Sequence, residues 1–249
     1  VACASFPLTV SASKRLIAKA VAQLPCVRHA LAHGIVAIGK GTTNGYVVEE
    51  ILGRPIDKRQ YVLGTTQPTV GRKPMTDQRM PDVILERGTV VEGTSVVDVI
   101  AQMGEGDVLI KGANALSADR KVAGILVGDP QGGTWGKTWG RTGGAFVTRV
   151  IPVGLEKVIA GDVLSAAATL QSGTGRRGAT PNLMPVQGVI VTEIEAIGVL
   201  CGADANQIGA GGVNGAEGAV WLFVEGDDDA VGRARELVEA IRGEPPFVP

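Results

Sequence analysis

The sequence predicts an α/β fold: a Rossmann-like, mostly parallel sheet with helices on both faces, joined to a small α+β domain. Three observations lead there. Short β-branched runs such as "IVAIG" (35–39) lack the alternation of a half-solvated strand and read as strands buried on both faces. Segments with helical spacing alternate with these runs, and glycine-containing loops follow several of them. Finally, "SGTGRRGATPN" (172–182) is polar, glycine-rich and without apolar periodicity. It places a linker at 173–182 between a larger domain at 1–172 and a smaller one at 183–249.

In chain order, "SASKRLIAKAVAQL" begins with the capping candidates Ser11 and Ser13 and sets Leu16, Ile17, Ala20, Val21 and Leu24 at helical spacing. Pro25 interrupts this helix, and "CVRHALAHG" resumes it as far as Gly34. The strand at 35–39 then opens through "KGTT" into the helix "NGYVVEEILG", which ends at Gly53. "YVLGTT" (61–66) reads as a second strand, and "DVILERGTVVEG" (82–93) as a third with a hairpin arm. "SVVDVIAQM" is a short helix, while "DVLIKGANAL" and "VAGILVGDP" are strands running into loops. The stretch "GGTWGKTWGRTGG" (132–144) carries too much glycine for a helix and reads as a binding loop before the strand "RVIPV". A helix "GDVLSAAATLQ" precedes the linker; beyond it lie strand-like runs and a terminal helix with acids at its amino end.

Composition narrows the function classes. The 249 residues carry 24 Lys and Arg against 25 Asp and Glu, a net charge of -1, so no broad field favours nucleic acid or an anionic membrane. No apolar run reaches the length of a membrane span. "VACASFPLTVSASKR" holds an A-x-A-like triplet, but no basic and apolar regions precede it as in a secretion signal. Cys3, Cys26 and Cys201 show neither CxxC spacing nor nearby histidine ligands, which predicts reducing cytoplasm and no structural zinc. His29 and His33 stand one helical turn apart with no third ligand and read as solvated, so no metal is expected. No cofactor is implied, and a homo-oligomer is compatible with the sequence but is not specified by any residue.

Two glycine-bearing segments carry the functional signal. In "IVAIGKGTTNGYVVEEILG" a strand opens into Gly39, Lys40, Gly41, Thr42 and Thr43 before a helix; in "RTGGAFVTRV" Arg141, Thr142, Gly143 and Gly144 precede a strand. Together these segments resemble type A ribose-5-phosphate isomerase and the wider superfamily that joins it with glucosamine-6-phosphate deaminases and CoA transferases. The resemblance spans about residues 11–160 and implies that both segments border one phosphate site, with Lys111, Gly112 and Asn114 of "KGANAL" between them. Glycines let backbone amides approach phosphate oxygens, threonine hydroxyls add donors, and a following helix presents its positive end. Thr65 and Thr66, at the end of the second expected strand, supply a further wall.

The family's acids are missing. Its G-A-D-x-[VI]-D loop corresponds to Gly112 through Ser117, where Asn114 and Ser117 stand in both acidic positions, and Val150 replaces the glutamate after the family arginine. None of these takes a proton near neutrality, so ordinary ribose-5-phosphate isomerase activity is not expected. Asp119 is a substitute acid if the loop folds back, and Glu217 in "GAGGVNGAEGAVW" is a candidate acyl nucleophile for a CoA-dependent transferase. Surface or turn roles are the plainer reading of both. A P-loop reading of "QGGTWGKT" fails because Gln131 replaces its first glycine and "WGRTGG" resists the helix that should follow. The expectation is a phosphorylated metabolite or nucleotide-like anion held in a glycine-loop crevice, with isomerase-like, transferase-like and non-catalytic sensor roles all open.

Overall fold

The computed structural model describes residues 1–64, 66, 79–119, 121–175 and 180–247. Its centre is a six-stranded sheet. β2 (Ile35–Ile38), β5 (Val108–Ile110), β8 (Thr148–Pro152) and β10 (Val189–Val191) run parallel, and β3 (Val83–Glu86) and β4 (Thr89–Val90) extend the β2 side antiparallel. The spatial order is β10-β8-β5-β2-β3-β4. Val36, Ile38, Val108 and Ile110 face the apolar sides of α1 (Val10–Gln23) and α3 (Thr42–Leu52), whereas Ala37, Leu109 and Ile84 face a separate cluster containing Val96, Val99 and Met103. Both faces are therefore covered, which is why these strands read as continuous apolar runs.

Of "YVLGTT", residues 61–64 do not form the expected strand. β3 and β5 flank β2 on its two sides, leaving no free ladder, and Tyr61 instead turns inward. Its hydroxyl donates to the Ile38 carbonyl and accepts from the Val83 amide. The first helix is also capped differently: Thr9 accepts from the Ala12 amide at 3.3 Å, while Ser11 and Ser13 lie buried inside α1.

Two smaller sheets complete the fold. β6 (Ala115–Ser117), β7 (Val122–Val127) and β9 (Asn182–Val186) form an antiparallel sheet covered by α6 (Val163–Ser172). β1 (Ala2–Leu8), β12 (Val220–Gly226) and β11 (Asp204–Ala210) form another, packed by α7 (Glu193–Cys201) and α8 (Asp228–Ile241). The sheets do not divide at the expected linker. β1 crosses from the amino terminus to pair with β12, and β9 and β10 return from beyond residue 182 to β7 and β8.

The main departure from expectation is α5 (Gly133–Gly144), a helix where a glycine loop was expected. Trp135, Thr138 and Thr142 are buried on one side of it, and Trp139 packs beside Trp135 with ring centroids 6.1 Å apart. This burial outweighs a glycine cost of about 1 kcal/mol per residue. α2 (Pro25–His33) carries His29 and His33 exposed, and no cluster of three or more metal-ligating side chains occurs among the described residues. No helix among them is long and apolar enough to cross a membrane.

Candidate functional site

Three segments meet at the carboxyl ends of β2 and β5, where a crevice of about 580 Å³ opens. This lies within the size range of small-molecule sites. After β2 the chain turns through Gly39, Lys40 and Gly41 into α3. The Gly39 amide donates to the Ile110 carbonyl at 3.0 Å, and the Gly41 amide to the Tyr61 carbonyl at 3.0 Å. Asn44, fully buried in the first turn of α3, donates from Nδ2 to the Gly39 carbonyl at 2.6 Å, which fixes the loop against the helix. Its Oδ1 is buried without a protein partner and lies beside the crevice.

After β5, the Lys111 amide continues the ladder to the Val150 carbonyl, while its Nζ donates to the Lys40 carbonyl at 2.6 Å. Asn114 accepts from the Leu126 amide at 3.1 Å and so joins this loop to β7. The third segment, Gly128 to Trp135, leads from β7 into α5. Gly132 caps this helix at φ +79, a left-handed conformation suited to glycine, and a Cβ on Gly136 would lie 2.0 Å from the Gln131 carbonyl oxygen. The helix start can therefore coil tightly only with these small residues.

Side chains cap the amino ends of α1, α6, α7 and α8. α2, α3 and α5 have no side-chain cap and no acid in the first turn, and of these α3 and α5 start at the crevice. Their leading amides and positive dipole ends suit an anion. Among the described residues, Lys40, Lys111 and Lys157 line the same space against Asp82 and Asp129. Burial first, then the nearby Lys40 charge, lowers the Lys111 pKa to about 8, although Asp82 opposes the shift.

The expected residues divide between two places. Lys40, Gly41, Thr42, Thr43, Thr66, Lys111, Gly112 and Asn114 line the crevice, with Gly39 directly behind Lys111; Thr65 lies outside the described residues. Arg141, Thr142, Gly143 and Gly144 do not join them. They form the last turn of α5, about 12 to 17 Å along the helix axis from its start, at the end whose dipole disfavours anions. Arg141 Nε donates to the Met103 carbonyl at 3.0 Å, while Thr142 and Gly143 border a separate shallow depression with Phe146 and Val189. The two expected turns therefore do not converge, because the second is a helix and only its opposite end reaches the crevice.

The remaining candidates also lie elsewhere. Asp119 is exposed in the turn between β6 and β7, and Glu217 is exposed in the loop between β11 and β12, its Oε1 accepting from the Gly215 amide. Neither lines the crevice. Of the two grounds expected against the P-loop reading one does not hold, since the helix does form; Gln131 still replaces the first glycine, Thr138 is fully buried and donates to the Thr134 carbonyl, and Lys137 approaches Asp129 at 3.8 Å. Asn44, Asp82, Asp129 and Lys157 are crevice residues that sequence reasoning missed. The third wall was signalled in part by the glycine-rich stretch 132–144, read as a binding loop, of which Gly132 to Trp135 line the crevice.

Comparisons with family models, curated proteins and solved structures found no match to the chain.

Proposed function

We propose that this chain binds a phosphorylated small metabolite at the carboxyl ends of β2 and β5. One observation carries the reading: two helices without side-chain caps, α3 and α5, start at a single crevice that Lys40 and Lys157 also line. Helix starts without side-chain caps, with lysines beside them, favour a compact anion. The mostly parallel sheet, read as Rossmann-like, sets its ligand loops at strand carboxyl ends, where such folds bind small molecules. Similarity to the ribose-5-phosphate isomerase superfamily supports the same reading through Gly39 to Thr43, while Asn114 and Ser117 weigh against the ordinary isomerase reaction. Free Cys3, Cys26 and Cys201 fit a reducing, cytoplasmic setting.

Calorimetric titration with inorganic phosphate and a pentose monophosphate tests the proposal. Saturable binding is expected, and Lys40→Ala weakens it by about tenfold, as removal of one charged hydrogen bond does. Arg141→Ala leaves it unchanged. An absence of saturable binding, or sensitivity to Arg141 but not Lys40, overturns the assignment.

A further inference from the structure

We propose that Lys111 is a nucleophilic amine that forms an imine with the carbonyl carbon of a phosphorylated aldehyde or ketone. This rests on the reading of the crevice as a phosphate site and extends it to a covalent step.

The lysine is held in place. Its stem lies against Gly39, where a Cβ would meet Lys111 Cδ at 2.8 Å and Cε at 3.5 Å. A side chain there would displace the amine, so the bare backbone at the end of β2 makes the space Lys111 occupies. Nζ is anchored by its hydrogen bond to the Lys40 carbonyl and forms no ion pair with a carboxylate within 4.0 Å among the described residues. A lysine whose only purpose is neutralisation gains from close carboxylate pairing; a half-buried lysine with no carboxylate within 4.0 Å among the described residues favours the neutral amine that attacks carbon, although the more distant Asp82 works against it. The lowered Lys111 pKa agrees with that placement. Lys40, Lys157 and the starts of α3 and α5 remain to hold the phosphate group.

The step balances without a redox partner. The Nζ lone pair forms a bond to the carbonyl carbon while the C=O π pair moves to oxygen. Oxygen takes a proton as nitrogen loses one, giving the carbinolamine. The nitrogen lone pair then forms C=N as the protonated hydroxyl departs as water, and nitrogen releases its second proton.

Wild-type protein treated with glyceraldehyde 3-phosphate and cyanoborohydride, followed by peptide mass mapping, tests this. Lys111 is expected to gain the reduced adduct at least about tenfold faster than exposed lysines such as Lys137, because more of its amine is neutral. Inorganic phosphate suppresses the adduct, and unphosphorylated glyceraldehyde labels Lys111 more slowly. Lys111→Arg abolishes the fast label, while mapping of the wild type keeps the test independent of how that variant folds. Labelling of Lys111 no faster than exposed lysines overturns the imine, even where calorimetry shows that phosphate binds. Fast labelling without measurable phosphate binding supports the amine chemistry and refutes the anion reading.

Discussion

The indole Nε1 of Trp135 donates to the carbonyl oxygen of Gly112 at 3.2 Å, tying the first turn of α5 to the loop after β5. Two of the three crevice walls are thus joined by one hydrogen bond from a side chain that is 1 % exposed. Trp135→Phe keeps most of the packing and removes the donor. It is expected to cost about 1 kcal/mol in urea denaturation, the net value of one such bond. If the proposed anion site is correct, phosphate affinity falls as well, since the start of α5 is no longer fixed to the loop carrying Lys111.

The glycines of α5 have opposite expected effects. At Gly136 a Cβ would strike the Gln131 carbonyl oxygen, so Gly136→Ala must displace backbone and is expected to destabilise by about 1 to 3 kcal/mol. At exposed Gly140 nothing lies within 4 Å, and Gly140→Ala is expected to stabilise by about 0.5 to 1 kcal/mol through the lower conformational entropy of the unfolded chain. Denaturation midpoints of the two variants check the contrast; equal shifts would show that the tight start of α5 is not what selects glycine at 136.

The contrast also explains what was legible in the sequence. β2 and α3 were readable because their signals are local: an apolar run, a glycine loop, and Gly53 ending the helix at φ +63. β1 was missed because its partner β12 lies at the far end of the chain, and Pro7 depresses any strand reading of "ACASFPL". α5 was misread because its helical state depends on burial of Trp135, Thr138 and Thr142 rather than on local preference. The Lys40 and Lys111 walls could be inferred from strand-loop order. Asp82 could not, since it reaches the crevice through strand pairing that no short motif encodes.

Arg15 forms a second structural centre. It pairs with Glu49 at 2.6 Å, Glu50 at 2.9 Å and Glu244 at 2.9 Å, and Lys58 also holds Glu49 at 2.9 Å. The cations of Arg15 and Lys58 lie 4.8 and 4.7 Å from the Tyr46 ring centroid. Burial alone would raise the Glu49 pKa, but hydrogen bonds from Lys58, Arg15 and the Ile56 amide outweigh it and lower the value. Glu49 and Glu50 therefore clamp α3 to α1. Arg15→Met leaves these carboxylates underpaired and is expected to cost about 3 kcal/mol in denaturation. Arg242→Ala, which removes an ion pair whose members are 67 % and 68 % exposed, is expected to change stability by less than about 0.5 kcal/mol.

Glu193 gives the fold a defined pH dependence. It is fully buried, with Oε2 accepting from the Leu155 amide at 2.9 Å and Oε1 lacking a partner among the described residues. Burial first, then the Glu156 charge, raises its pKa from 4.5 to about 7, against the opposing hydrogen bonds from Leu155 and Ser13. Below about pH 4.5 the folded and unfolded chains both hold the proton and stability is undiminished by this group. As pH rises to 7 and beyond, the unfolded chain releases a proton that the folded chain retains, so stability falls by up to about 3 kcal/mol. Neighbouring Lys14 acts in another window: burial and Lys157 lower its pKa to about 8, against Glu156, so stability from this group rises only between pH 8 and its ordinary 10.5. Glu193→Gln is therefore expected to remove the decline between pH 4.5 and 8 and to be relatively most stable at its upper end. Urea denaturation of both proteins across that interval checks this, and a constant wild-type-to-variant difference would show that Glu193 is not the titrating group.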